Sequence, residues 1–362
     1  MKILHAAETI KGGVATVINS LTEYQTKQNG CEVICIVPSD QSENLIKIKN
    51  LKEIEFTRSG RSISGMLSFF WVLINTILKE KPDIVHLHSS FAGLLGRIAV
   101  LITGQRRKIR IIYCPHAFGF LMETSSFKKW IYSFAELLLA KCTDKIICVS
   151  QSEYNAAIKA GFKKEKLAVI HNGVKLKSKS NTFTANNKTH YKLLYVGRFD
   201  YQKGIDILSK AIEILAKENI NIFYEFTLIG EAVNSEDKIQ FNDNKNIKIN
   251  ELGWLKPNQL EEQYLTHDAL VIPSRWEGFA MVPLEAMSYG LPIIASKIDA
   301  FQELDNKDYN HIIFFNDITE LSKILINIDN FNLEKKSKLA NSFFLERFSE
   351  KKMNTETIKL YW

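Results

Sequence analysis

Glycine and proline are scarce, 17 and 7 of 362 residues, too few for a collagen-like repeat. With 46% hydrophobic and 24% charged residues, disorder and low complexity are excluded as well. Cysteine is sparse: Cys31, Cys35, Cys114, Cys142 and Cys148 are odd in number and form no Cys-x-x-Cys. Each sits in or beside an apolar run, which points to buried free thiols and a reducing compartment, although Cys31 and Cys35 share a strand face. The first residues lack an apolar h-region, so no secretory leader is expected. The most apolar window, Met66–Leu78, is interrupted by Ser68, Asn75 and Thr76 and falls short of the ~20 residues a bilayer span needs. No membrane crossing is expected, and Trp71 and its neighbours are assigned to a core. Neither the dinucleotide fingerprint G-x-G-x-x-G nor a P-loop occurs, and there is no Asp-x-Asp.

What is present is alternation. Strand-like runs at Lys2–Ala7, Cys31–Val37, Ile84–His88, Ile109–Cys114 and Lys145–Val149 are separated by helical patterns at 14–28, 64–80, 91–103, 126–142 and 151–160. The polar, aperiodic stretch Lys175–Lys188 reads as a linker. The pattern then restarts, with strands at Tyr191–Val196, Tyr224–Ile229, Asn246–Ile249, Ala269–Ile272 and Pro292–Ala295 and helices at 204–218, 257–265 and 281–289. Strands alternating with helices imply parallel sheets covered on both faces. At ~150 residues per domain the length suits two such domains: 1–174, a linker at 175–190, and 191–342, followed by a helical segment at 343–362.

The net charge of +7 is uneven: residues 1–175 carry 24 basic and 14 acidic residues, and 176–362 carry 23 and 26. A basic first half suggests an anionic partner. Nucleic acid is not expected, because no recognition motif occurs and the aromatics lie in apolar patterns rather than among basic residues.

Three loops can carry chemistry. Lys11-Gly12-Gly13-Val14 follows the first strand and opens a helix, where main-chain N–H groups meet an anion; a plain turn has the same composition. Gly197-Arg198-Phe-Asp-Tyr-Gln-Lys203-Gly204 repeats that placement with a guanidinium and an ammonium, groups suited to phosphate, or else a solvated basic turn. Pro273–Pro292 sets Glu277 and Glu285 eight residues apart around a helix start, with Gly278 between them. Two such carboxylates suit the hydroxyls of two polyol units. His86 and His88 share a strand face, but no Cys or carboxylate joins them at ligand spacing, so hydrogen bonding is expected rather than a metal. His5, His171, His190, His267 and His311 give no signal.

The Glu277–Glu285 pair within EGFAMVPLEAMSYGLP resembles the E-x7-E signature of glycosyltransferase family 4. The other motifs agree in order: the Gly-Gly loop, Asp83-Ile-Val-His-Leu-His88, Pro115-His116-Ala117, His171-Asn-Gly-Val174 and Gly197–Gly204. The resemblance covers about residues 1–305. It implies a GT-B fold, two Rossmann-like domains with parallel sheets facing across a cleft, the first binding acceptor and the second the nucleotide-sugar donor. It also implies that segment 343–362 crosses back to the first domain. By the same resemblance, Arg198 and Lys203 hold the donor diphosphate, and Gly12 and Gly13 cover it. Glu277, with the backbone of Gly278, Phe279 and Ala280, binds the sugar, Glu285 the ribose, and His116 lies near the anomeric carbon. Two departures stand out: Ala280 replaces a common glycine, and Gly230-Glu-Ala232 lacks a second one.

The resemblance implies a retaining hexosyltransferase without cofactor or metal, which moves a hexose or N-acetylhexosamine from a UDP-sugar. The acceptor is a polyprenyl-diphosphate-linked or lipopolysaccharide glycan in bacterial O-antigen or capsule assembly; a GT-B-like nucleotide-sugar epimerase is the alternative. A cytoplasmic location, peripheral on the inner face of the membrane, agrees with the stripe Phe127, Trp130, Ile131, Phe134 and Leu138 beside Lys128 and Lys129. Arg106–Arg110 and Lys163–Lys166 add basic charge. A core-facing amphipathic helix with a solvated edge would show the same pattern.

Overall fold

The computed structural model describes residues 1–58, 62–121, 124–176, 188–218, 221–232, 239 and 241–362; most of the expected linker lies outside the described residues. The chain divides into two compact units, Met1–Gly173 together with Glu350–Trp362, and Val174–Ser349.

The first unit runs β1 (Lys2–Ala7), α1 (Gly12–Thr26), β2 (Glu32–Pro38), β3 (Leu51–Phe56), α2 (Ile63–Glu80), β4 (Ile84–His88), α3 (Ser90–Ile102), β5 (Arg110–Cys114), α4 (Ser126–Ala140), β6 (Lys145–Cys148), α5 (Gln151–Lys159) and β7 (Leu167–Val169). Its sheet has the order β3-β2-β1-β4-β5-β6-β7, parallel throughout. β1, β2 and β4 are nearly unbroken apolar runs because helices cover both of their faces. β3 sits at the edge, where Lys52, Glu53 and Glu55 are tolerated.

α2 departs from expectation, and the stripe on α4 is not core-facing. α2 spans 18 residues, begun by the Ser62 side chain accepting from the Gly65 N–H, and by length and composition alone it would suit a membrane span. In the structure Phe69, Leu73 and Ile77, four apart, enter the core of the sheet. Trp71, two residues and ~200° from Phe69 around the helix, is 60% exposed, so it is not a core residue. α4 buries Glu136 and Ala140 and turns its apolar stripe outward, with Phe127, Trp130 and Phe134 at 70%, 62% and 56% exposure. Their rings stack in sequence, at 6.4 and 5.7 Å between centroids. The five cysteines are all free, and burial pushes the thiols of Cys35, Cys114 and Cys148 well up.

The second unit runs β8 (His190–Val196), α6 (Ile205–Leu215), β9 (Phe223–Ile229), β10 (Ile247–Glu251), α7 (Pro257–Thr266), β11 (Ala269–Ile272), α8 (Met281–Ser288), β12 (Ile293–Ser296), α9 (Asp299–Gln302), β13 (Ile312–Phe315), α10 (Ile318–Ile326) and α11 (Leu333–Arg347). Its parallel sheet has the order β10-β9-β8-β11-β12-β13. In both units the order reverses beside the first strand, and α/β sheets bind ligands at the carboxyl edge of that switch point.

Segment 343–362 is not one helix. α11 stops at Arg347, and α12 (Glu350–Lys359) belongs to the first unit. Between them the Phe348 carbonyl accepts from the Val174 N–H at 3.1 Å and Ser349 bridges Val174, a ladder contact incompatible with a continuing helix.

Candidate functional site

In the second unit the loops after β8, β9 and β11, three neighbouring strands, meet at the carboxyl edge of the sheet. Two glycines allow this. Gly204 has φ +66° and a Cβ there would lie 1.9 Å from the Pro273 carbonyl oxygen; Gly230 has φ +138° and a Cβ there would lie 1.9 Å from that of Gly197. Any side chain would push the loops apart. Glycine is not needed at 280, where Ala280 is extended at φ −71°, nor at 232, where Ala232 bridges Phe199.

These contacts bring Lys203 to Glu277: Nζ donates to Oε1 at 2.6 Å, with the carboxylate side chain 7% exposed. Ser274, three residues earlier, donates its hydroxyl to the same oxygen at 2.9 Å. The Lys203 N–H donates to Asp200 Oδ1 at 2.8 Å, fixing the turn. Arg198, half exposed, reaches Asp200 Oδ2 at 3.0 Å and Gln202 Oε1 at 2.9 Å. Gln202 in turn donates to the Trp276 carbonyl, so both loops share one hydrogen-bond set. Arg275 forms a fork with Asp206 at 2.7 Å and covers the Tyr201 ring at 3.8 Å; the guanidinium holds the Asp206 carboxyl below its ordinary range. Glu285, on α8, accepts from the buried Tyr264 hydroxyl at 2.8 Å. Phe279 points its ring inward onto Phe348, at 5.7 Å, so Gly278–Ala280 offer main chain rather than side chains.

Six described helices, α2 to α5, α10 and α11, begin with a Ser, Asp or Asn side chain capping an N–H. α1, α6 and α8 have no such cap, nor do α7 and α9. α1, α6 and α8 follow the three loops singled out in the sequence. No side chain competes there for the main-chain N–H groups that remain for solvent or an anion, although the Ile207 N–H is taken by the Gly204 carbonyl and Pro283 has none.

In the first unit Gly12 starts α1 at φ +54°, with open space around it, and Gly13 continues the turn. His116 and Ala117, after β5, have φ of +55° and +128°. Such backbone costs about 1–3 kcal/mol per residue and persists only where its surroundings enforce it. Buried Glu153 is one such constraint, accepting the Phe118 N–H at 3.1 Å and the Val149 N–H at 2.7 Å. The His116 ring is held by His88 at 3.1 Å.

His86 and His88 are buried, and His5, without a sequence signal, joins them, the three ligand atoms within 4.8 Å of one another. The register pairing His5 with His86 brings it there. Hydrogen bonds among the rings, Gln25 and Tyr361 occupy their nitrogens; His86 Nε2 alone of these has no partner among the described residues. Ser274, Gln202 and Tyr264 were also missed; only Ser274, three residues before Glu277, had a spacing that could have marked it.

The pattern described as Glycosyltransferase Family 4 matches residues 11–178, and that described as Glycosyl transferases group 1 matches 177–343. An uncharacterized 41.2 kDa protein in the cps region of Klebsiella pneumoniae is 34% identical over 370 residues, covering 100% of this chain and 99% of its own. The Escherichia coli UDP-Gal:alpha-D-GlcNAc-diphosphoundecaprenol alpha-1,3-galactosyltransferase is 29% identical over 270 residues, 71% of this chain and 68% of its own. Among solved structures, Anabaena HepE in complex with UDP-glucose matches with a TM-score of 0.74 at 19% identity, over 99% of this chain and 98% of that one. The two units are those of the GT-B fold, and the chain belongs to glycosyltransferase family 4.

Proposed function

We propose that the chain is a retaining, metal-independent hexosyltransferase. It moves a hexose or N-acetylhexosamine from a UDP-sugar to a polyprenyl-diphosphate-linked or lipopolysaccharide glycan, in the assembly of a bacterial O-antigen or capsule. The observation that carries this reading is the contact of Lys203 with Glu277, with Arg198 held by Asp200 on the same loop as Lys203, beside the uncapped starts of α6 and α8. Two cations and two helix N-termini receive a diphosphate and offset the charge that grows as it leaves. Glu277, already oriented by Ser274, accepts from sugar hydroxyls, and Glu285 accepts from the ribose hydroxyls. Gly12 and Gly13 supply main chain to the diphosphate, and His116 lies over the sugar. The bond between C1 and the β-phosphate oxygen breaks as the acceptor oxygen bonds to the same face of C1, and the acceptor proton passes to the departing phosphate. The UDP donor and the lipid-diphosphate acceptor are supported by the name of the E. coli relative.

The test is purified protein with UDP-galactose, with and without GlcNAc-diphosphoundecaprenol. Acceptor-dependent UDP release, an α-linked product and full rate in EDTA are expected. A nucleotide-sugar epimer formed without acceptor would overturn the reading.

We also propose that α4 docks on the inner face of the cytoplasmic membrane. Phe127, Trp130 and Phe134 form an exposed stack beside Lys128 and Lys129, the composition of an interfacial helix. Burying two such rings is worth about 3–6 kcal/mol. Trp130→Ala/Phe134→Ala should therefore lose at least about tenfold in affinity for phosphatidylglycerol vesicles on co-sedimentation. Equal binding by the variant and the parent protein would remove α4 from the contact.

A further inference from the structure

A hydrogen-bonded row of side chains runs through the first unit to His116. Gln25 Oε1 lies 2.7 Å from His5 Nε2, His5 Nδ1 lies 3.0 Å from His88 Nε2, and His88 Nδ1 lies 3.1 Å from His116 Nε2. The planes of the His88 and His116 rings are 18° apart, with centroids 5.4 Å from each other. Burial holds His5 and His116 down at about 4 and His88 well below its ordinary value. At neutral pH each ring is therefore uncharged, with one nitrogen that donates and one that accepts.

One proton per ring fixes the direction of the row. The Gln25 amide nitrogen donates to the Tyr361 hydroxyl at 3.1 Å, so the carbonyl oxygen faces His5 and can only accept. His5 then carries its proton on Nε2, and its Nδ1 accepts from His88 Nε2–H. His88 Nδ1 in turn accepts from His116 Nε2–H. The one lone pair left over is on His116 Nδ1, which has no partner among the described residues and is not sealed from solvent. The Tyr361 hydroxyl, having accepted from Gln25, donates to His86 Nδ1 at 2.8 Å, so His86 stands beside the row, not in it.

We propose that Gln25, His5 and His88 are positioning residues that hold His116 as the Nε2–H tautomer and present its Nδ1 as a fixed acceptor to a hydroxyl of the donor sugar. The proposal rests on the reading that His116 lies over that sugar. The row supplies what a partly buried imidazole on strained backbone lacks: one ring orientation and one protonated nitrogen before the ligand arrives.

The experiment uses the full chain with 15N-labelled histidine, long-range 1H–15N correlation spectra and UDP-galactose as probe. His88→Gln keeps an amide that donates towards His5 and accepts from His116; His88→Met fills similar space and does neither. In the parent protein and in His88→Gln, His116 should carry its proton on Nε2 alone, and the rates should agree within about threefold. In His88→Met, His116 should show both tautomers and the rate should fall at least about tenfold. If His88→Met does not fold, Gln25→Met tests the same row from its far end. A proton on His116 Nδ1 in the parent protein, the result of a reversed Gln25 amide, would overturn the proposal. So would an unchanged tautomer in His88→Met. A fixed tautomer that follows His88 while UDP-galactose leaves the His116 signals unmoved would overturn the sugar contact, and with it the placement of His116, but not the row.

Discussion

Lys203→Ala is expected to lower kcat/KM for the donor by about 2–4 kcal/mol of transition-state stabilisation, or about 30- to 800-fold. An ammonium facing the leaving diphosphate gains in strength as charge builds on it, so most of the loss should fall on kcat. The structure adds a second consequence. Lys203 Nζ is within 2.6 Å of Glu277, so deleting either side chain strands the other in a largely buried setting. Glu277→Ala should accordingly cost a similar factor, and the double variant much less than the product of the two. Lys203→Arg should recover part of the rate, because the charge returns in a different shape. Circular dichroism and the urea midpoint separate lost chemistry from lost fold. Near-normal turnover in both single variants would place the diphosphate away from this loop pair.

Why these residues were legible while others were not follows from where their information resides. Arg198, Lys203 and Glu277 lie in loops directly after apolar strand runs, and Glu285 in the helix that follows one, so position along the chain already places them at one edge of a parallel sheet. The strands themselves were readable because β1, β2 and β4 are buried on both faces and carry mostly apolar residues. β3 was not: Leu51–Phe56 alternates charge with partial burial, as an edge strand does, and it gave no apolar run. The row that ends at His116 was out of reach for a different reason. His5 and His86 become neighbours only through the pairing of β1 with β4, an order set by the sheet topology and absent from local periodicity. Tyr361 meets Gln25 because α12 returns to the first unit after the chain has built the second. The break between α11 and α12 was invisible for the same kind of reason, since it depends on Val174, far away in sequence, pairing at Phe348–Ser349.

α4 shows how one buried pair can reverse an amphipathic pattern, and it carries the second large prediction. Glu136→Ala should cost about 3–5 kcal/mol of folding stability, read from the urea midpoint. Arg97, on α3, is fully buried; its Nη2 donates to Glu136 Oε2 at 2.8 Å and its Nε to the Gly93 carbonyl at 2.6 Å. The guanidinium lies 4.2 Å from the centre of the Tyr113 ring, and the Tyr113 hydroxyl donates to Glu136 Oε1 at 2.7 Å. Gly93 leaves room for that ring, since a Cβ there would fall 2.3 Å from Tyr113 Cε2. Removing Glu136 leaves the Arg97 charge sealed inside without a counter-charge. Replacing both partners, as Arg97→Met/Glu136→Leu, removes the charge penalty and takes away only the acceptor of the Tyr113 hydroxyl, so it should cost less than Glu136→Ala alone. The pair is therefore better understood as setting orientation than as adding stability: the face of α4 that carries Glu136, with Leu137 and Ala140 beside it, enters the unit, which turns Trp130 and Phe134 outward. With apolar residues at both positions the ion pair no longer selects the buried face, and the double variant should stay folded while binding phosphatidylglycerol vesicles less well. A Glu136→Ala protein as stable as the parent, or a double variant that binds vesicles undiminished, would show that some other contact orients the helix.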